Sequence, residues 1–236
     1  ALIETLKPTV EDEITFVGDL VDKGDDSPGV VRFVRELSLT HNVVLVEGNH
    51  EDKHKRFRRN LTVRPEVAAQ QAERSPELSE ITAGLSEADV AFLDSAVPFH
   101  RVAKHGILVV HGGIPGDMVE FPATVEEAMS FTGKAKRRME KILRTRTIDA
   151  ETGKFIALGR ETEADPFWAE VHDGRFGHVV FGHEPFMDGV AHFPHATGID
   201  TGAVFGGRLT AMVVDADGER SFVSVPGRKV AEHRQM

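Results

Sequence analysis

Four short apolar runs in this chain each stop at a glycine beside a side chain able to hold a metal ion. They are Val17-Gly18-Asp19, Glu47-Gly48-Asn49-His50, Val110-His111-Gly112-Gly113 and Phe181-Gly182-His183. Runs such as Ile14-Thr15-Phe16-Val17 and His178-Val179-Val180-Phe181, rich in β-branched or aromatic residues and ended by glycine, have the pattern of buried strands. In open α/β sheets, ligands bind outside the carboxyl ends of the strands. Glycine at those ends lets the chain turn sharply and lets a ligand approach the backbone. One polar residue at a strand end is an ordinary turn former, because Asp hydrogen-bonds its own backbone. Four together imply a rim carrying an Asp, an Asn and two His, a set of oxygen and nitrogen donors suited to Mn, Fe or Zn.

The remaining pattern supports an α/β fold with a late antiparallel portion. Ser27-Pro28 reads as an N-cap and N1 proline for a helix whose apolar face is Val30, Val31, Val34 and Leu37. Residues 42–46 form a second strand. The region from about 52 to 96 reads as mainly helical, with Ser86 capping a helix that carries Val90, Phe92 and Leu93. Strands are expected at 99–104 and 106–110, and a strongly basic helical region at 124–146. Further strands are expected at 198–202, 208–214 and 221–225. No repeat and no linker interrupts the chain, so a single domain over 1–236 is expected.

Composition removes several function classes. A chain of 236 residues can bury a full core. Its 28 basic and 38 acidic residues give a formal charge of −10, which argues against sequence-blind binding to nucleic acid or anionic membrane. No apolar run approaches the roughly 20 residues that span a bilayer, and the start is not signal-like, so a soluble, cytoplasmic protein is expected. With no cysteine, disulfides and thiolate metal sites are excluded.

GDLVDKG at 18–24, GNHE at 48–51, HGG at 111–113 and GHEP at 182–185 occur in an order that resembles the calcineurin-like metallophosphoesterases. The likeness is to the bacterial and phage branch related to serine/threonine phosphoprotein phosphatases, and IDTGAVFGGRLT at 199–210 resembles that branch's closing strand pair. The resemblance implies a sandwich of two mixed β-sheets flanked by helices. It implies a metal-bridging hydroxide as nucleophile and two divalent ions, Mn foremost and Fe, Zn or Ni as alternatives. Asp19 would bridge the ions, and Asn49, His111 and His183 would complete one ion's ligand set. His50 would be the general acid, oriented by Asp22. Lys23 stands where the family usually has Arg and would contact the substrate phosphate, keeping the charge but losing the bidentate fork. Two cations sharing one carboxylate lower the cost of forming hydroxide and hold the phosphate for in-line attack. The family's first motif, Asp-x-His-Gly at the end of the first strand, is absent. Residues 1–7 look like the second half of the helix that follows it. The native protein is therefore expected to have residues upstream, without which the Asp19/Asn49/His111/His183 ion alone would be held.

The substrate is less legible. The basic stretches KHKRFRR at 53–59 and KAKRRMEKILRTR at 134–146 hold twelve of the 28 Lys and Arg. They read either as solvated helix faces or as a cationic wall for a polyanion. Arg144, Arg146 and Arg160 are candidates for a second phosphate contact. Phe167 and Trp168 are expected in the core, and His41, His54, His172, His178, His192 and His195 at surface or structural positions. Three readings follow: a phosphatase acting on phosphomonoesters such as phosphoprotein; a hydrolase of dinucleoside tetraphosphate or of RNA 2′,3′-cyclic ends; and an inactive phosphoesterase-fold binding module. Phosphorylated small molecules, nucleotides and phosphoproteins are thus the partners considered. Oligomeric state leaves no trace in the sequence.

Overall fold

In the computed structural model, which describes residues 1–231, a short helix α1 (Leu2–Leu6) precedes the strand β1 (Glu13–Phe16). Helix α2 (Ser27–Ser38) then crosses to β2 (Asn42–Leu45), which pairs with β1 in parallel. Two adjacent parallel strands need such a crossover. A helical region follows, made of α3 (Asn49–Val63), α4 (Pro65–Arg74), α5 (Glu77–Gly84) and α6 (Glu87–Asp94). Pro65, at the start of α4, ends α3 because a proline disfavours helical backbone in the residue before it.

The largest sheet is built from β3 (His100–Val102), β4 (Ile107–Val109), β5 (His178–Phe181), β6 (Ala191–Phe193) and β7 (Ala196–Gly198). Its order is β3-β4-β5-β7-β6, with the central pairs β4–β5 and β5–β7 parallel and the two edge pairs antiparallel. Between β4 and β5 the chain forms α7 (Val125–Ser130), α8 (Gly133–Met139) and α9 (Trp168–Val171). The chain closes with β8 (Asp200–Thr201), β9 (Arg208–Val214) and β10 (Arg220–Pro226) as an antiparallel sheet. The expected α/β architecture of mixed sheets flanked by helices is the one observed, with the strands divided among three hydrogen-bonded ladders.

Both faces of the central strands are covered, as their continuous apolar character requires. Leu108, Val179 and Phe181 face one cluster with Phe99, Ile142 and the fully buried Trp168. Ile107, Val109 and Val180 alternate to the other face and meet Val46, Met212 and Val214, which brings β9 against the sheet. Phe167 packs against the first cluster, as expected.

Several local expectations are corrected. Asp26, not Ser27, caps α2: its side chain accepts from Gly29 N–H at 2.9 Å, and Ser27 is the first helical residue. On α2, Val31 and Val34 are buried but Val30 is 43% exposed, because it lies about 100° around the helix from Val31. The basic region 124–146 is broken at Gly133, whose φ of 57° is left-handed, and its end is a 3-10 turn over 140–143. Of the strand expected at 198–202, Gly198 ends β7 and Asp200–Thr201 form β8, while β6 and the start of β7 were not anticipated. Ser86 caps α6 as expected, accepting from Asp89 N–H at 3.2 Å while Asp89 reaches back to Ser86. Among the described residues no helix is long and apolar enough to cross a membrane.

Candidate active site

Each of the four glycine-bearing turns follows the carboxyl end of a parallel strand: β1, β2, β4 or β5. Two hydrogen bonds join these ends. His111 Nδ1 lies 2.6 Å from the carbonyl oxygen of Val17, and Gly182 N–H donates to the carbonyl of His111 at 2.9 Å. The first bond fixes the His111 tautomer. Nδ1 carries the proton, and Nε2 is left facing Asn49 Oδ1 at 3.1 Å and Asp19 Oδ2 at 3.3 Å. Asp19, His111 and His183 each place one ligand atom within 4.8 Å of the others.

The close approach of these turns depends on glycine. Gly18 has a φ of +89°, and a Cβ there would lie 2.7 Å from the backbone nitrogen of Gly48. Asp19, Asp22 and His183 hold left-handed φ values of 57°, 82° and 68° without being glycines. Such backbone costs about 1–3 kcal/mol per residue and clusters at functional sites. At Asp19 the strain is held in place by Glu51. This carboxyl, 2% exposed, accepts from Asp19 N–H at 2.7 Å, Leu20 N–H at 2.7 Å and Gly48 N–H at 2.8 Å. His50 N–H in turn donates to Asp19 Oδ1 at 3.0 Å.

The charges follow this geometry. Burial works against ionisation of Asp19, but His111, with His50, outweighs it and holds the carboxyl well below its usual range. For Glu51 the balance is opposite: burial, reinforced by the Asp19 carboxylate, pushes it up to about 7. Burial also drives His183 well below the ordinary imidazole range, so it stays neutral, the form that ligates metals. His183 Nε2 is buried with no hydrogen-bond partner among the described residues. An orphaned imidazole nitrogen, a partly exposed carboxylate and a neighbouring amide oxygen fit a divalent cation better than they fit one another.

Beside this centre, His50 Nδ1 lies 2.5 Å from Asp22 Oδ2, and His50 Nε2 lies 3.8 Å from Asp19 Oδ2. Asp22 is also held by Lys53 Nζ at 3.1 Å and by a short bond from His54 Nε2. Burial opposes its charge, yet the bonds from His50 and His54 keep it well below the usual carboxylate range. His54 is fully buried against Asp22, more specific than the surface or structural position expected for it. The chain does contain one Asp-x-His, Asp52-Lys53-His54, but it lies inside α3. Asp52 binds Arg144 at 2.6 Å and Arg56 at 3.2 Å, and His54 binds Asp22, so neither joins the Asp19 cluster.

The candidate phosphate contacts separate. Lys23 is exposed, with its ammonium 5.1 Å from the Phe205 ring centroid. Arg144 is tied to Asp52. Arg146 binds Glu184 through Nε and donates from Nη2 to the carbonyl of His183 at 2.9 Å, so it braces the turn that carries this ligand. Arg160 lies on an exposed loop, where its backbone N–H bonds to Glu161. The stretch 53–59 is largely paired: Lys53 with Glu77, Lys55 with Glu47, Arg56 with Asp52 and Arg58 with Asp94. It forms an ion-paired helix face, not a free cationic wall.

Three residues at the site escaped the sequence reading. Glu51 had a signal, being the N3 glutamate of α3, a position from which a carboxyl reaches back to the N-cap N–H. His54 had another, lying one helical turn after His50. Asp200, a half-buried carboxyl that desolvation pushes up with help from Asp19, had none beyond its place in the 199–210 segment.

The model of the calcineurin-like phosphoesterase family matches residues 1–187. Curated relatives include the bis(5′-nucleosyl)-tetraphosphatase (asymmetrical) PrpE of Bacillus cereus strain AH820, 30% identical over 91% of this chain and 79% of that one. The protein of the same name from Oceanobacillus iheyensis is 27% identical over 92% of this chain and 78% of its own. A crystal structure described as that of a "putative diadenosine tetraphosphatase" superposes with a TM-score of 0.69 at 24% identity, over 96% of this chain and 86% of that one, a likeness of fold. Matched over most of its length by the family model, the chain belongs to the calcineurin-like phosphoesterases and is a hydrolase of phosphoester or phosphoanhydride bonds.

Proposed function

We propose that the protein hydrolyses a phosphoanhydride bond of dinucleoside tetraphosphates, cleaving them asymmetrically. The observation that carries this reading is the imidazole His50. Asp22 holds it by Nδ1, and its Nε2 is directed at the Asp19/His111/His183 cluster. The tetraphosphatase activity named for the relatives supports the choice of substrate.

Asp19, Asn49, His111 and His183 would hold a divalent ion, and that ion would supply Lewis acidity toward the phosphate and activation of water for in-line attack. The protein's own residues do the rest. Asn49 offers a neutral oxygen, which adds no negative charge against the substrate. His50, with Nδ1 engaged by Asp22, presents Nε2 as the donor of a proton to the departing phosphate oxygen. Lys23, exposed four residues after Asp19, offers its ammonium to the polyphosphate chain. One water is consumed, one P–O–P linkage opens, and two unequal nucleotides leave.

The test is hydrolysis of bis(5′-adenosyl) tetraphosphate with Mn2+, in competition with a phosphopeptide and a cyclic-ended RNA. Release of unequal mono- and triphosphate nucleotides, lost in Asp19→Asn and His50→Asn, is expected. Preferential turnover of the phosphopeptide or the RNA refutes the substrate, and no turnover of any of them with Mn, Fe, Zn or Ni refutes the reading outright.

A further inference from the structure

Helix α3 presents three side chains to a single carboxylate. Positions 50, 53 and 54, one turn of the helix, all converge on Asp22, whose side chain is 6% exposed. His50 Nδ1 and Lys53 Nζ take Oδ2, and His54 Nε2 takes Oδ1. Asp22 itself stands on left-handed backbone with φ 82°, and its N–H donates to Ser27 Oγ at 3.1 Å.

We propose that His54 is a positioning residue: by occupying Oδ1 it fixes the plane of the Asp22 carboxylate, and so fixes the direction in which His50 points. The proposal rests on His50 being the proton donor of the function proposed above. A role in packing alone does not account for His54. Its ring is fully buried, and its Nδ1 has no hydrogen-bond partner among the described residues. Burying such an atom costs free energy that an apolar side chain of similar size would avoid. The contact with Asp22 is what an apolar residue cannot supply. Without it, Oδ1 becomes a buried acceptor lacking a partner, and the carboxylate is free to turn toward Lys53, which is shared with Glu77 at 2.8 Å. His50 would then lose its fixed direction. Proton donation needs the donor within about 2.6–3.2 Å of the leaving oxygen, and a misplacement of about 1 Å can cost roughly 100-fold in rate.

The test uses the Mn2+-loaded protein and two aryl phosphates, p-nitrophenyl phosphate, whose leaving group needs little protonation, and phenyl phosphate, whose leaving group needs it. His54→Asn, too short to reach Oδ1, is compared with His54→Gln, which retains an N–H donor at similar reach, each also in an Asp22→Asn background. The expected result is a kcat loss in His54→Asn at least tenfold larger for phenyl phosphate than for p-nitrophenyl phosphate, little change in KM, and recovery of most of that loss in His54→Gln. In the Asp22→Asn background the His54 substitutions should cost nothing further. Equal losses on both substrates, no advantage of Gln over Asn, or full additivity with Asp22→Asn would overturn the assignment. Aryl phosphates read His54 independently of the natural substrate. A leaving-group effect without hydrolysis of bis(5′-adenosyl) tetraphosphate therefore refutes the substrate alone, and a wild type inert toward aryl phosphates refutes the positioning role.

Discussion

Replacing Glu51 should damage this protein more than replacing any residue that faces the substrate, and the size of the damage can be worked out. The Glu51 carboxyl is the sole acceptor described for three backbone N–H groups, those of Asp19, Leu20 and Gly48. Glu51→Ala leaves all three donors without it. A buried unsatisfied donor costs about 1–3 kcal/mol. Three of them, with partial relief as water enters, give a loss of roughly 3–5 kcal/mol. Glu51→Gln should cost less, about 1–3 kcal/mol, because one amide oxygen remains while the amide nitrogen meets an N–H head-on. Burial has already pushed Glu51 up to about 7, so its neutralisation contributes little to that cost. Urea unfolding with chelator present measures both, and an unchanged m-value identifies the effect as one on stability. In thermal scans the alanine variant should melt roughly 6 °C or more below the wild type. An alanine variant within about 0.5 kcal/mol of wild type would refute the reasoning, because it would mean the turn 18–20 is held by something other than this carboxyl.

Three further outcomes are expected. Asp89 accepts from Ser86, whose side-chain hydrogen bond, together with Arg35 and against burial, holds it at about 2 in the folded protein. This value is below that of the unfolded chain, so the stability it contributes is complete above about pH 4 and is lost as pH falls toward 2. The gap in urea midpoint between wild type and Asp89→Asn should therefore narrow on acidification, and a constant gap would contradict the argument. A Cβ at Gly113 would sit on the indole nitrogen of Trp168, well inside van der Waals contact, so Gly113→Ala should cost about 1–3 kcal/mol and shift the emission of this single tryptophan. Mn2+ at 100 times its dissociation constant should stabilise the protein by about 2.7 kcal/mol. That raises the melting temperature by roughly 5–11 °C, an increment that chelator or His183→Ala should remove.

The sequence was most legible where one short segment carries both an element and its chemistry. Phe181-Gly182-His183 announces a strand, its end and a ligand together, and β5 and β9 fall at their expected bounds. Residues whose meaning lies in their partners were harder to read. His54 looks like one histidine among twelve until α3 sets it beside Asp22, and Arg146 looks like a free cation until Glu184 and the His183 carbonyl claim it. The stretch 53–59 reads as a basic run because the acids that neutralise it, Glu47, Glu77 and Asp94, lie on other segments. Strand β6 and the start of β7 were missed for a different reason. Three residues do not establish a period, and their place is set by pairing across the sheet.

In the proposed function, residues 19, 49, 111 and 183 share one cation. Crystals grown with Zn2+ or Mn2+ and measured on either side of the metal's absorption edge locate that cation directly. An anomalous peak at the roughly 2.0–2.2 Å typical of nitrogen and oxygen ligands from Asp19, Asn49 Oδ1, His111 Nε2 and His183 is the predicted result. Protein that binds the metal in solution but shows its peak away from these four side chains would contradict the account.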